Sequence, residues 1–223
     1  MNKYKKIVSI AATAVMCVAP MSVYAQEAQT DVIEAVAEKK QDTESSSVPV
    51  LQKEGIEISE GTGYDLSKEP GAATVKALEQ GTIVISYKTT SENAIQSLLS
   101  VGNGTKGNQD RHFHLYITNA GGVGMELRNT DGEFKYTLDC PAAVRGSYKG
   151  ERVSNTVALK ADKENKQYKL FANGELIATL DQEAFKFISD ITGVDNVMLG
   201  GTMRQGTVAY PFGGSIERMQ VYR

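Results

Sequence analysis

Charged and aromatic side chains alternate with apolar ones along two neighbouring segments of the chain. In R-H-F-H-L-Y-I-T, His114 and Tyr116 share one face of a predicted strand, and in G-V-G-M-E-L-R, Glu126 and Arg128 do the same. Asn-Ala-Gly-Gly at 119–122 joins the two strands as a hairpin, so burying their apolar faces also brings the polar faces together. Such an arginine can hold a carboxylate through two parallel charge-assisted hydrogen bonds.

The same side chains also suit an ordinary, exposed and solvated sheet face. A glutamate and an arginine two residues apart on a strand form a surface ion pair worth at most about 1 kcal/mol. The alternation by itself therefore leaves both a ligand site and a plain solvent-facing surface open.

Short alternating runs separated by turn residues fill the chain from about residue 55 onward. There are about ten of them, and Asn173-Gly174 between two runs is typical of a second tight hairpin. The only helical pattern is short, at 182–188. The sequence predicts an all-β fold, an antiparallel β-sandwich with one short helix.

The first part of the chain differs in composition from the rest. Residues 1–25 combine three lysines, an apolar stretch and a final Ala25, which is typical of a cleavable signal peptide. Residues 26–48 carry six acidic residues against two lysines and little apolar surface, so we expect a flexible acidic leader. Residues 49–223 then form the folded module of an exported protein.

Composition and motif searches exclude several classes of function. The 24 Lys and Arg against 27 Asp and Glu leave a net charge of -3, which argues against nucleic-acid binding. The chain has no nucleophile elbow, phosphate loop or paired-cysteine metal pattern, and a site on His112 and His114 would need carboxylates to complete it. We therefore predict no catalytic residue, metal or cofactor.

Seven sequence runs carry a family resemblance. They are G-T-I-V-I-S-Y-K, I-Q-S-L-L-S-V-G-N, H-L-Y-I-T, G-M-E-L-R, F-A-N-G-E-L, M-L-G-G-T-M-R-Q-G and Y-P-F-G-G-S-I-E-R-M-Q-V-Y. Together they resemble family-40 carbohydrate-binding modules, the sialic-acid-binding, lectin-like domains at the N-terminus of secreted bacterial sialidases. The resemblance covers about residues 50 to 223 and implies a concanavalin-like jelly roll. A secretion signal followed by an acidic leader is also how such sialidase precursors begin, including intramolecular trans-sialidases.

The resemblance implies a ligand site whose members can be carried over one at a time. The implied sialic-acid-binding residues are Ile95, Tyr116, Glu126, Arg128, Arg204 and Tyr210. Arg128 and Arg204 match the two arginines that hold the sugar carboxylate, and Glu126 matches the acid that accepts hydrogen bonds from an amide or hydroxyl of the sugar.

The remaining implied contacts are less polar. Tyr116 and Tyr210 match the aromatic positions beside the sugar, and Ile95 fits an apolar contact for the acetamido methyl group.

Arg204 falls in the loop after the M-L-G-G strand. A planar guanidinium suits a carboxylate better than a lysine ammonium does.

The resemblance implies a non-catalytic module that recognises terminal sialic acid on host glycans or mucin and targets an attached sialidase domain to its substrate. We expect a secreted or cell-surface-associated bacterial protein, a monomer, whose partners are sialylated glycoproteins and the C-terminal catalytic domain of a longer enzyme. The S-x-D-x-G-x-T-W repeats of sialidase propellers do not occur, and Trp is absent.

Two alternatives of other classes remain open on the sequence. One is a sandwich-fold enzyme that degrades glycans, although no strand shows the alternating carboxylates of such glycosidases. The other is an adhesion domain that binds a protein through one sheet face.

Overall fold

Antiparallel strands make up nearly all the regular structure of the chain. In the computed structural model, the described residues are 48–104, 111–129, 133–144 and 153–223. The predicted signal peptide, 1–25, and the leader up to residue 47 lie outside them.

The described segments contain fourteen strands, one short α-helix and one 3₁₀ turn. In chain order these elements are β1 (Leu51–Ile58), β2 (Tyr64–Asp65), α1 (Ala72–Lys76), β3 (Gly81–Thr89), β4 (Ile95–Gly102), β5 (His112–Thr118), β6 (Val123–Asn129), β7 (Phe134–Cys140), β8 (Asn155–Asp162), β9 (Gln167–Ala172), β10 (Glu175–Asp181), the 3₁₀ turn (Ile188–Asp190), β11 (Asn196–Leu199), β12 (Thr202–Arg204), β13 (Thr207–Ala209) and β14 (Gly214–Tyr222).

Twelve of these strands form two six-stranded sheets, and every pairing is antiparallel. Sheet A has the order β1-β14-β3-β8-β9-β10, and sheet B has the order β2-β11-β4-β5-β6-β7. The remaining two strands, β12 and β13, form a small separate hairpin. Within the described ranges, no helix has the length and apolar character of a membrane span.

The two sheets pack face to face around one apolar core. In β5 the inward side chains Phe113, Leu115 and Ile117 are at most 2% exposed. The ring of Phe113 lies 5.7 Å from that of Phe187, which lies 6.5 Å from that of Tyr168 on β9. Aromatic contacts therefore connect sheet B to sheet A, and the predicted β-sandwich is confirmed.

Both predicted hairpin turns are present. The amide of Thr118 donates to the carbonyl of Gly122 at 2.9 Å, closing the β5–β6 turn. Asn173 and Gly174 have φ angles of 50° and 88°, as a tight type I′ hairpin between β9 and β10 requires.

The helix predicted at 182–188 is wrong, because this segment is irregular and the only α-helix of the described residues is α1. Phe185 and Phe187 both pack against Tyr168, with ring centroids 4.9 and 6.5 Å away. Two residues spaced by two can reach the same partner from extended backbone but not from a helix. The Tyr168 hydroxyl also donates to the Lys186 carbonyl, which fixes the segment in this form.

The β12–β13 hairpin lies against β4 on the outer side of sheet B. The Ser100 hydroxyl of β4 donates to the carbonyl of Gly201 at 2.8 Å, just before β12 begins. This contact gives sheet B a partly covered outer face, on which the candidate site lies.

Candidate ligand-binding site

The register of β5 and β6 places the polar side chains of the two strands in rows on the outer face of sheet B. The rows pair His112 with Arg128, His114 with Glu126, and Tyr116 with Gly124. The pairing predicted from the alternation is therefore confirmed.

The face is less exposed than the sequence indicated, because His112 and His114 are only 4% and 3% exposed. Both lie on the side away from the core, so neighbouring polar and aromatic groups bury them. A strand face that is simply solvated does not bury two histidines. The burial thus favours a built site over a plain solvent-facing surface.

Glu126 is the centre of the first half of the site. Its Oε1 accepts hydrogen bonds from Arg128 Nη1 and His112 Nε2, each at 3.0 Å, and its Oε2 lies 3.9 Å from Lys135 Nζ. The hydrogen bond from His112 and the charge of Arg128 lower the pKa of Glu126 to about 2. Glu126 is therefore ionised at neutral pH and holds the Arg128 guanidinium in one orientation.

Tyr116 lies on the same face in the row next to that of Glu126, opposite Gly124. Its hydroxyl donates to Asp139 on β7, and burial together with this contact raises the pKa of Tyr116. A Cβ at Gly124 would overlap both the Tyr116 ring and the Asp139 carboxylate. Glycine is required at this position because the ring occupies the space above it.

Arg204 ends β12, paired with Thr207 of β13. The sequence placed it in a loop, but Gln205 and Gly206 have φ angles of 50° and 77° and close a tight hairpin. The Gly206 amide donates to the Gly104 carbonyl at 3.2 Å, which attaches the turn to the end of β4. Arg204 is thus carried on ordered backbone.

Tyr210 follows β13 and links the hairpin to sheet B. Its carbonyl accepts from the Ser97 amide at 2.9 Å, and its ring stacks on His114 with centroids 5.2 Å apart and planes 20° apart. The Arg204 guanidinium lies over the Tyr210 ring, with its Cζ 4.8 Å from the ring centroid. Tyr210 has a φ of 52°, a strained conformation for a bulky residue.

Arg204 and Arg128 differ in their electrostatic partners. Arg128 bonds to Glu126, whereas Arg204 has no carboxylate partner within the described segments, and its buried Nε has no hydrogen-bond acceptor there. A guanidinium that lacks an acid of its own attracts an incoming anion without competition from one. This half of the site therefore supplies uncompensated positive charge.

Ile95 lies at the edge of the same face. It begins β4 opposite Thr118, one row beyond the pair formed by Ser97 and Tyr116, and it is partly exposed. The structure thus places all six predicted residues on or beside the outer face of sheet B.

The sequence reasoning left four neighbours of these residues without a role in the site. They are His112, His114, Gly124 and Asp139. The alternating histidines were visible in the sequence, but their burial was not, because it depends on the hairpin above them. Across the described parts of the chain, no three His, Cys, Asp or Glu side chains group as metal ligands would.

Comparison with known proteins places this sandwich among carbohydrate-binding modules. The module CBM40 of the Ruminococcus gnavus IT-sialidase, solved with alpha2,6 sialyllactose bound, is 99% identical with a TM-score of 0.76, covering 78% of this chain and 92% of that one. The same module with alpha2,3 sialyllactose gives 96% identity and a TM-score of 0.75, covering 78% and 91%. Residues 22–223 match the model of the sialidase N-terminal domain, and the chain belongs to that family.

One relative is much longer than this chain. The anhydrosialidase of Macrobdella decora is 64% identical over 207 residues, which are 90% of this chain and 27% of that protein. The chain therefore spans about a quarter of that relative's length. The matched family is the sialidase N-terminal domain and the 99% identical module is a CBM40, so the resemblance drawn from the sequence is confirmed and this chain is a binding module.

Proposed function

We propose that this chain is a non-catalytic module that binds terminal sialic acid through the outer face of sheet B. The observation that carries the proposal is Arg204, a guanidinium without an acid partner in the described residues, in contact with Tyr210 and connected through His114 to the row of Glu126. Support comes from the 99% identical Ruminococcus gnavus module, which was solved with sialyllactose bound.

The charges of the proposed site match an acidic sugar. Two arginines and one glutamate leave one net positive charge, which complements the single carboxylate of sialic acid. Arg128 and Arg204 would share that carboxylate, each through charge-assisted hydrogen bonds worth roughly 1.5–3 kcal/mol before the cost of desolvation.

The other members give the site its preference for a sugar over a simple anion. Glu126 accepts hydrogen bonds from hydroxyl or amide groups and repels anions that lack such donors. Tyr116 and Tyr210 flank the ring, and Ile95 contacts the acetamido methyl group. Because these residues address one terminal sugar, we propose that both α2,3- and α2,6-linked sialic acids bind.

The wider biological role is part of the same proposal. The six proposed contact residues are all partly exposed, which predicts a dissociation constant between roughly millimolar and micromolar, so useful retention depends on many sialylated sites, as on mucin, or on a tethered partner. We propose that the chain is exported by its predicted signal peptide, acts as a monomer at or outside the bacterial surface, and holds an attached sialidase domain near sialylated glycoproteins.

Calorimetric titration with α2,3 sialyllactose and with lactose tests the proposal. The protein should bind the sialylated trisaccharide and not lactose, and Arg204→Ala should remove the binding heat while the melting temperature stays nearly unchanged. Arg218→Ala is a matched control, because Arg218 lies on sheet A, with its Nε 3.5 Å from Glu54 Oε1. Equal binding of lactose, or normal binding by Arg204→Ala, would reject the function.

Glycoprotein capture separates this proposal from the two alternatives. A sialylated glycoprotein should lose binding after enzymatic desialylation. Retained binding would favour an adhesion domain that recognises protein, and release of sugar by the purified chain would favour a glycan-degrading enzyme.

A further inference from the structure

His114 is a buried polar residue on the outer face of sheet B. It is 3% exposed, and its Nε2 has no hydrogen-bond partner in the described part of the protein. An unpaired buried ring nitrogen costs free energy that an apolar residue at this position would not cost. The nitrogen therefore does not stabilise the fold, and what the ring contributes comes from its contacts with neighbouring rings.

The His114 ring contacts two tyrosine rings, and one of them, Tyr210, connects it to Arg204. His114 contacts Tyr116 with centroids 4.8 Å apart and Tyr210 with centroids 5.2 Å apart, and the Arg204 guanidinium lies 4.8 Å from the Tyr210 centroid. Arg204 has no carboxylate partner among the described residues to fix its orientation. Its contact with the Tyr210 ring, which itself stacks on His114, is therefore what can orient it.

We propose that His114 is the positioning residue of the hairpin half of the site, which consists of Arg204 on the β12–β13 hairpin and Tyr210 just after it. The His114 imidazole is the platform on which Tyr210 stacks, and Tyr210 in turn holds the Arg204 guanidinium over the outer face of sheet B. This inference rests on the proposed binding of an acidic sugar. The Tyr210 backbone, with its positive φ, directs the ring onto the platform.

An uncharged ring suits this position. Burial lowers the pKa of His114 to about 3, and the charge of Arg204 acts in the same direction. The imidazole therefore adds no repulsion to the guanidinium it supports at neutral pH. An apolar aromatic ring of similar shape should serve as well, and this gives the proposal its conservative substitution.

Three variants separate positioning from a general loss of structure. His114→Ala removes the platform, His114→Phe keeps a flat ring, and Leu115→Val disturbs the neighbouring residue of β5, which faces the core and is fully buried. Melting temperature is measured for all three. Leu115→Val is expected to melt at a lower temperature and to leave the site unchanged.

The first readout needs no ligand: the proton shifts of the Arg204 side chain, measured by NMR in the free protein. Stacking on Tyr210 should move these resonances upfield in the wild type, in His114→Phe and in Leu115→Val. His114→Ala should lose the upfield shift. Retention of the shift in His114→Ala would overturn the proposal.

The second readout is affinity for α2,3 sialyllactose. His114→Ala should bind about tenfold more weakly, and His114→Phe should stay within about threefold of the wild type. Unchanged affinity in His114→Ala, or an equal loss in His114→Phe, would overturn the positioning role. If the wild type itself bound no sialyllactose, the proposed function would fail, while the Arg204 shifts would still report whether His114 holds that side chain.

Discussion

The two halves of the site hold an arginine by different means. Arg128 lies in the regular register of β6 and is fixed by Glu126 at 3.0 Å, within a row that also contains His112. Arg204 lies on a two-stranded hairpin outside both main sheets and is held against Tyr210. The strand half has an acid built in, and the hairpin half has none among the described residues.

This difference separates orientation from attraction. Glu126 neutralises Arg128 while it fixes the guanidinium, so in the proposed site that half would contribute geometry and selectivity for sugars with donor groups. Arg204 keeps its full charge, so the hairpin half contributes most of the net attraction for an anion. Equivalent substitutions in the two halves should therefore have different consequences.

The largest effect is expected from removing Arg128 while Glu126 remains. Arg128→Ala should weaken binding of sialyllactose by about 100-fold or more, because the lost hydrogen bonds leave a glutamate facing the sugar carboxylate. Adding Glu126→Gln should restore about tenfold of this loss in a calorimetric titration. A double variant that binds no better than the single one would show that Glu126 does not repel the ligand.

A smaller effect is expected when Arg204 keeps its charge but loses its shape. Arg204→Lys should bind about tenfold more weakly, since an ammonium forms neither the paired hydrogen bonds nor the same stacking on Tyr210. The melting temperature should not change. Wild-type affinity would indicate that charge alone matters in the hairpin half.

A third substitution acts on the strand half without touching any charge. Gly124→Ala should displace Tyr116 from its place over the sheet, because the added Cβ overlaps the ring and Asp139. We expect a several-fold loss of affinity and about 1–3 kcal/mol of lost unfolding free energy by urea denaturation. An unchanged affinity would mean that the Tyr116 ring is not a contact.

The last prediction concerns stability at mildly acidic pH, not affinity, and it depends on His114. Its ordinary pKa is 6.5 and burial lowers it to about 3, so below pH 6.5 the unfolded chain takes up a proton that the folded protein does not. Stability is therefore fully present above pH 6.5 and falls as the pH falls. Between pH 7 and 5 the wild type should lose about 2 kcal/mol more than His114→Phe in urea unfolding.

Glu126 does not contribute to the difference in stability loss between the wild type and His114→Phe. Its pKa is lowered from 4.5 to about 2, so the stability it contributes is lost only as the pH falls below 4.5. Both proteins also keep His112. Equal losses in the wild type and His114→Phe would show that His114 is protonated in the folded state.

The strand half could be predicted from the sequence and the hairpin half could not. Alternation along β5 and β6, with a glycine-rich turn between them, determines which side chains share a face. The β12–β13 hairpin has only three residues a strand, too few for a periodic pattern, and the positive φ of Gln205 is not evident from its residue type. Arg204 and Tyr210 entered the prediction only through family resemblance.

Side-chain burial and irregular backbone also could not be predicted from the sequence. The sequence indicated an exposed face because His112 and His114 are polar, but their environment depends on segments distant in the chain, such as Tyr210. The helix predicted at 182–188 failed because aromatic contacts to Tyr168 override a weak helical pattern. Tertiary contacts decided both outcomes.

A crystal structure of this protein with α2,3 sialyllactose tests the central claim most directly. One carboxylate should lie within hydrogen-bonding distance of both the Arg128 and the Arg204 guanidinium groups, and Glu126 should accept a hydrogen bond from the same sugar. A sialic acid bound elsewhere on the sandwich, or bound here with its carboxylate pointing into solvent, would contradict it.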